Sequence, residues 1–193
     1  MSKELTNFFE SYVCNLSTTL AKIENQKICE LVEAIQSRLA SRDQIFICGN
    51  GGSAGNAIHL VNDFVFGLST KESLGLRAHA LPANISLVTC LANDIGYPSI
   101  FSEQLSILAN PTDLLIVFSG SGNSANIVEA IYKAKEMGMS TAAILGYDGG
   151  VAKSIVDIAV HAPVDDMQIS EDIQLIVGHM IVQWLRENLA KEK

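Results

Sequence analysis

Two short segments combine glycine, serine and asparagine in an order suited to holding an anion: Gly49-Asn50-Gly51-Gly52-Ser53-Ala54 and Ser119-Gly120-Ser121-Gly122-Asn123-Ser124-Ala125-Asn126. Glycine lets a backbone turn sharply and approach a ligand. Serine hydroxyls and the free N–H groups at a helix start then donate hydrogen bonds to phosphate oxygens without needing a cation. A single glycine-rich turn between a strand and a helix is more often a plain connector. The second segment, with serines at 119, 121 and 124 directly after an apolar run, shifts the reading toward phosphate binding. GxGxxG is absent from both, so a dinucleotide fingerprint is not indicated.

Such loops need elements to hold them. From Gln44 onward short apolar runs alternate with helical stretches: QIFIC (44–48), RAHAL (77–81), DLLIVF (113–118), TAAIL (141–145) and DIAVHA (157–162). Each run is too continuous for a half-exposed antiparallel strand, and helices intervene. A doubly wound α/β sandwich of three layers, with a five-stranded parallel sheet covered on both faces, is therefore expected. In such sheets ligands bind beyond the carboxyl ends of the strands, where both loops lie. Residues 3–40 carry apolar positions near helical spacing, from Leu5, Phe8, Phe9, Tyr12, Val13 and Leu16 to Ile28, Leu31, Val32 and Ile35, and predict two helices or one bent helix before the first strand. The segment from Ser170, with Glu171 and Asp172 suited to a helix N-terminus, predicts a closing amphipathic helix. No linker or repeat interrupts the chain, so residues 1–193 are read as one domain with 1–40 as a helical extension for packing or oligomerisation.

The bulk properties narrow the function. A chain of 193 residues is long enough for one sizeable core, and no apolar run reaches the length of a membrane span. The start lacks the basic-then-apolar order of a signal peptide, so a cytoplasmic location is expected. A net charge of -8 and a pI near 4.9 argue against direct nucleic-acid binding, which depends on clustered Lys and Arg. The cysteines Cys14, Cys29, Cys48 and Cys90 form no CxxC pair and are expected to be buried free thiols.

The stretches CGNGGSAGNAIH and FSGSGNSANIVEAI, in that order, resemble the SIS (sugar isomerase) family and, within it, the phosphoheptose isomerase branch. The similarity extends over nearly the whole chain, through ANDIGYPSIFSEQL to the terminal helix. It implies a flavodoxin-like SIS fold and a phosphorylated sugar as ligand. It further implies zinc as cofactor and a homotetramer with active sites between subunits. The implied reaction converts sedoheptulose 7-phosphate to D-glycero-D-manno-heptose 7-phosphate through an enediol.

Residue by residue, the resemblance puts Ser119, Gly120, Ser121 and Ser124 at the phosphate and Asn50, Gly51, Gly52 and Ser53 at the substrate, with Asn93 and Asp94 as a polar pair beside the sugar. The family's isomerases carry a zinc-associated set: a histidine and a glutamate four residues apart, then a glutamine and a histidine eight apart in the last helix. His59 and His179 match the histidines, Asp63 stands at the glutamate position and Glu171 at the glutamine position. These four are the implied metal ligands. Asp63 or Glu171 is expected to abstract the proton and His179 to deliver it. His59 and Asp63 at i and i+4 share one helix face. Glu171 and His179 lie about 12 Å apart along a helix axis, which strains any site using both from one chain and points to a site between subunits. The family's basic residue is missing from Phe66-Gly67-Leu68-Ser69, and Gln168 replaces an aspartate.

Blander readings apply elsewhere. His79 and His161 lie in or beside strands and read as structural, Asp165 and Asp166 as a solvated turn, and Met180, Ile181 and Trp184 as packing at helical spacing. Two alternatives compete with the isomerase. One is a non-catalytic SIS protein, an adaptor of the DnaA-associating type or a sugar-phosphate sensor. The other is an isomerase of a related sugar phosphate. Two histidines with two carboxylates favour chemistry, whereas the aspartate and glutamate exchanges favour the alternatives.

Overall fold

The computed structural model describes residues 3–69 and 74–189. Strands β1 (Gln44–Cys48), β2 (Arg77–Ala80), β3 (Leu114–Ser119), β4 (Ser140–Leu145) and β5 (Ile158–His161) pair in parallel in the order β2-β1-β3-β4-β5. Each expected strand is present within a residue or so of its apolar run. Helices α1 (Lys3–Leu20) and α2 (Asn25–Ser41) precede the sheet, α3 (Gly51–Asn62), α4 (Ile85–Asp94) and α5 (Ser102–Leu108) lie between β1 and β3, and α6 (Ala125–Glu136), α7 (Gly150–Ile155) and α8 (Met167–Leu189) complete the chain.

Successive strand residues feed opposite faces, as the period of two requires. Ile45, Ile47, Leu114, Ile116 and Phe118 join a core with α2, α3 and α8, while Phe46, Cys48, Leu115 and Val117 join a second core with α5, α6 and α7. The sheet is thus the middle of three layers.

The N-terminal region divides into two helices rather than one bent helix, and they differ in role. Leu31, Val32 and Ile35 of α2 are buried in the core beside the sheet, so α2 contributes to the layer that covers it. Along α1, Tyr12, Leu16 and Leu20 pack on the core while Phe8, Phe9 and Val13 remain exposed. The cysteine expectation is also corrected. Only Cys48 is buried, whereas Cys14, Cys29 and Cys90 are exposed, because they lie on helix faces turned away from the sheet.

Candidate active site

The strand order reverses between β1 and β3, and the two glycine-serine loops leave the carboxyl ends of those two strands. This is the crevice in which open parallel sheets bind ligands.

The serine loop is held by backbone amides that donate to nearby oxygens. Ser119 is buried and its Oγ accepts a hydrogen bond from the Gly122 N–H at 3.0 Å. Gly122 has φ +67°, and a Cβ there would collide with the Gly149 carbonyl, so this turn requires glycine. The first turn of α7 braces it further: the Ala152 N–H donates to Gly122 O at 3.0 Å and the Val151 N–H to Asn123 Oδ1 at 2.9 Å. Ser121 Oγ accepts from the Asn123 N–H at 3.3 Å. Ser124 stands at the N-cap of α6 with its hydroxyl uncommitted to a cap bond. That hydroxyl and the first N–H groups of α6 converge as anion donors.

The first loop is tied to this one by a reciprocal amide pair. Asn126 Nδ2 donates to Asn50 Oδ1 at 2.8 Å, and Asn50 Nδ2 donates to Asn126 Oδ1 at 2.9 Å. Tyr97 Oη donates to the same Asn50 oxygen at 2.9 Å. Asn50 therefore keeps one N–H for a substrate while acting as a strut between the loops. Ser53 is buried, and its Oγ accepts from Gln174 Nε2 at 3.0 Å, so it serves the packing of α3 on α8. Gly51 has open space above it, whereas Gly52 lies beneath the Glu171 carboxylate, which a Cβ would strike. Asn56 Nδ2 steadies that turn of α8 by donating to Glu171 O at 2.9 Å and Gln174 Oε1 at 3.0 Å.

A second constellation lies farther along α3 and α8. A Cβ at Gly178 would come 2.8 Å from Leu60 Cδ1, so the glycine permits a close helix approach between the residues next to His59 and His179. There the two Nε2 atoms face each other at 3.0 Å, and Asp63 Oδ2 stands 3.6 Å from His59 Nε2 and 3.5 Å from His179 Nε2. With metal bonds of about 2.0–2.1 Å, a tetrahedral site has donor–donor edges of about 3.3 Å, and these three distances bracket that value. The donor set therefore fits a zinc-like divalent cation with an open fourth position. At Asp63 the helix widens into a π-helical turn, Asp63–Gly67, a local departure that re-aims this carboxylate.

Glu171 is not part of this cluster within one chain, since eight residues of α8 separate it from His179. Asn93 and Asp94 occupy the exposed end of α4, where Asn93 Nδ2 donates to Asp94 Oδ1 at 2.7 Å. The Cys90 thiol donates to Asp94 Oδ2 at 3.5 Å, and this bond raises its pKa. His79 stacks on Phe46 and bonds Gln44, and burial lowers its pKa. His161 bridges Tyr147 O and Lys153 Nζ. Asn126 was read only as the end of the serine segment, and Tyr97, Gln174 and Gly178 were not singled out by the sequence. A buried asparagine or glutamine facing a glycine-rich loop was the available signal for Asn126 and Gln174, whereas Tyr97 and Gly178 needed tertiary geometry.

Comparison with known proteins matches residues 8–146 to the SIS domain. The phosphoheptose isomerase of Geotalea daltonii is 36% identical over 167 residues, covering 86% of each chain. That of Clostridium acetobutylicum is 33% identical and covers 98% of both. Among solved structures, a phosphoheptose isomerase from Francisella tularensis superposes with a TM-score of 0.87 at 26% identity, covering 97% of this chain and 100% of that one. One from Neisseria gonorrhoeae gives 0.86 at 26%, covering 96% and 98%. The doubly wound fold with its paired phosphate-type loops is that of a sugar-phosphate-handling SIS domain, and this chain belongs to the SIS-domain family.

Proposed function

We propose that this chain is an aldose–ketose isomerase of a phosphorylated heptose, interconverting sedoheptulose 7-phosphate and D-glycero-D-manno-heptose 7-phosphate. The observation that carries the reading is the pairing of a braced serine loop with a His59–Asp63–His179 cluster, in a chain about a third identical to phosphoheptose isomerases over most of its length. The product is a precursor of cell-surface heptose, and the reaction belongs to the cytoplasm. Among the described residues no helix is long and apolar enough to cross a membrane.

The phosphate sits against Ser121, Ser124, the Gly120 amide and the first N–H groups of α6, which fix one end of the sugar and orient the other. Asn50 and Gly51 line the path between, and the Asn93–Asp94 pair faces the hydroxyls. His59, Asp63 and His179 would hold the zinc, which would polarise the substrate carbonyl. With the His179 Nε2 directed into that cluster, the carboxylate of Glu171 is left to move the proton. It takes the C1 proton of the ketose, the freed electron pair forms the C1–C2 double bond of an enediol as the C2 oxygen gains a proton, and the aldose is left when the C1 hydroxyl gives up its proton and the carried proton returns to C2.

Helix α8 supports a site shared between copies. Met167 lies against Gly120, Glu171 against Gly52 and His179 against His59, so about 18 Å of helix axis runs from the serine loop to the metal cluster. A heptose phosphate spans only about 10 Å from phosphorus to C1. That mismatch would bring the serine loop and Glu171 of one copy to the cluster of another, in the homotetramer that the family resemblance implies. Incubating the protein with sedoheptulose 7-phosphate, with and without chelator, and following aldose formation by NMR tests the function. Aldose should form and chelation should stop it. Absence of turnover in both conditions would favour a sugar-phosphate sensor or adaptor instead.

A further inference from the structure

Helix α8 touches the segment after α3 at a second place, two turns beyond His179. Arg186 donates from Nε to the Gly67 carbonyl at 3.1 Å and from Nη2 to the same oxygen at 2.7 Å. Gly67 is the last residue of the π-helical turn that begins at Asp63, and its carbonyl takes its donor from outside the helix. A Cβ at Gly67 would stand 3.4 Å from Arg186 Nη2 and 3.6 Å from Asp63 Cβ, so the guanidinium and the aspartate flank the same point with only glycine between them.

His179 and Arg186, seven residues apart, fall on one face of α8. The helix thus grips the π-helical turn at both ends, with the imidazole at the Asp63 carboxylate and the guanidinium fork at Gly67. We infer that Arg186 is a positioning residue: it locks the π-helical turn onto α8, so that the Asp63 carboxylate keeps its distance to both histidines. Planar guanidinium can make both bonds to one carbonyl, whereas a lysine supplies a point charge without the fork. The inference rests on reading His59, Asp63 and His179 as the metal-holding cluster.

The test compares Arg186→Gln and Arg186→Lys with the unaltered protein, by zinc titration against a chromophoric chelator, by steady-state kinetics and by thermal melting. Partners that orient metal ligands are worth about 10- to 100-fold in affinity or activity. Arg186→Gln should weaken zinc binding by about tenfold and lower kcat by a similar factor with KM nearly unchanged, and Arg186→Lys should recover part of both. A merely structural anchor would lower Tm while leaving zinc affinity and kcat of the folded protein intact, and that pattern overturns the inference. His59→Ala separates the two ideas. If it binds zinc as tightly as the unaltered protein, or if the latter binds none, the metal reading fails and the kcat and KM of the Arg186 variants decide the positioning role alone.

Discussion

The serine loop and the His59–Asp63–His179 cluster are built in opposite ways. The loop is fixed through its backbone: Gly122 in a left-handed turn, amides of the loop and of the first turn of α7 donated to nearby oxygens, and a strand buried along its whole length beneath it. The cluster is fixed by side chains reaching across two helices, half-exposed, with a glycine at Gly178 setting the helix separation. Under the proposed function, substrate grip is thus coupled to the stability of the domain, and chemistry is nearly independent of it. A phosphate is common to many ligands and can be held by a rigid cradle, whereas the reacting groups can be exchanged without disturbing the fold.

Substitutions can break or sharpen that contrast. His179→Ala should produce the largest effect, a loss of about a thousandfold in kcat or more, with Tm and phosphate binding nearly intact. Substantial turnover in this variant would remove the cluster from the reaction. Gly122→Ala should do the reverse of sparing the fold: a left-handed turn costs a side chain about 1–2 kcal/mol and the clash with Gly149 O adds about as much, so Tm should fall by roughly 9 °C and phosphate binding should go with it. Unchanged melting would show that the loop is less constrained than its geometry implies. Ser121→Ala removes one charge-assisted bond, about 2 kcal/mol, and should raise KM roughly thirtyfold with kcat little altered. A kcat effect instead would place the serine near the reacting carbons.

The smallest effect concerns the helix that carries the cluster. Tyr12 Oη donates to Asp172 Oδ2 at 2.6 Å, tying α1 to α8, and this bond raises the phenol from 10.0 to about 12. Because the folded state holds the proton more tightly, the contribution is complete below pH 10 and is lost as pH rises toward 12. Ultraviolet titration should show one tyrosine ionising late, and Asp172→Asn should return it to the ordinary range. A late tyrosine that persists in that variant would assign the shift to another cause.

The backbone-built half was the more legible in sequence. Apolar runs such as DLLIVF and TAAIL fixed strand positions because a strand buried on both faces has few alternatives, and the glycine and serine spacing announced the loop. The Asn50–Asn126 strut escaped notice because the two residues are far apart in sequence and meet only when β1 and β3 are neighbours. The convergence of His59, Asp63 and His179 was legible only through family resemblance, since it depends on the close passage of α3 and α8 at Gly178. Exposure along α1 was illegible for a different reason. Helical periodicity marks an apolar face but does not say how much of it the same chain will cover.

The outermost strands, β2 and β5, are only four residues each, and Arg77 is exposed at the rim of the former. Short, charged borders of this kind offer a poor template for backbone pairing with another molecule. A second molecule approaching this chain therefore meets the sides of its helices rather than a long open strand edge.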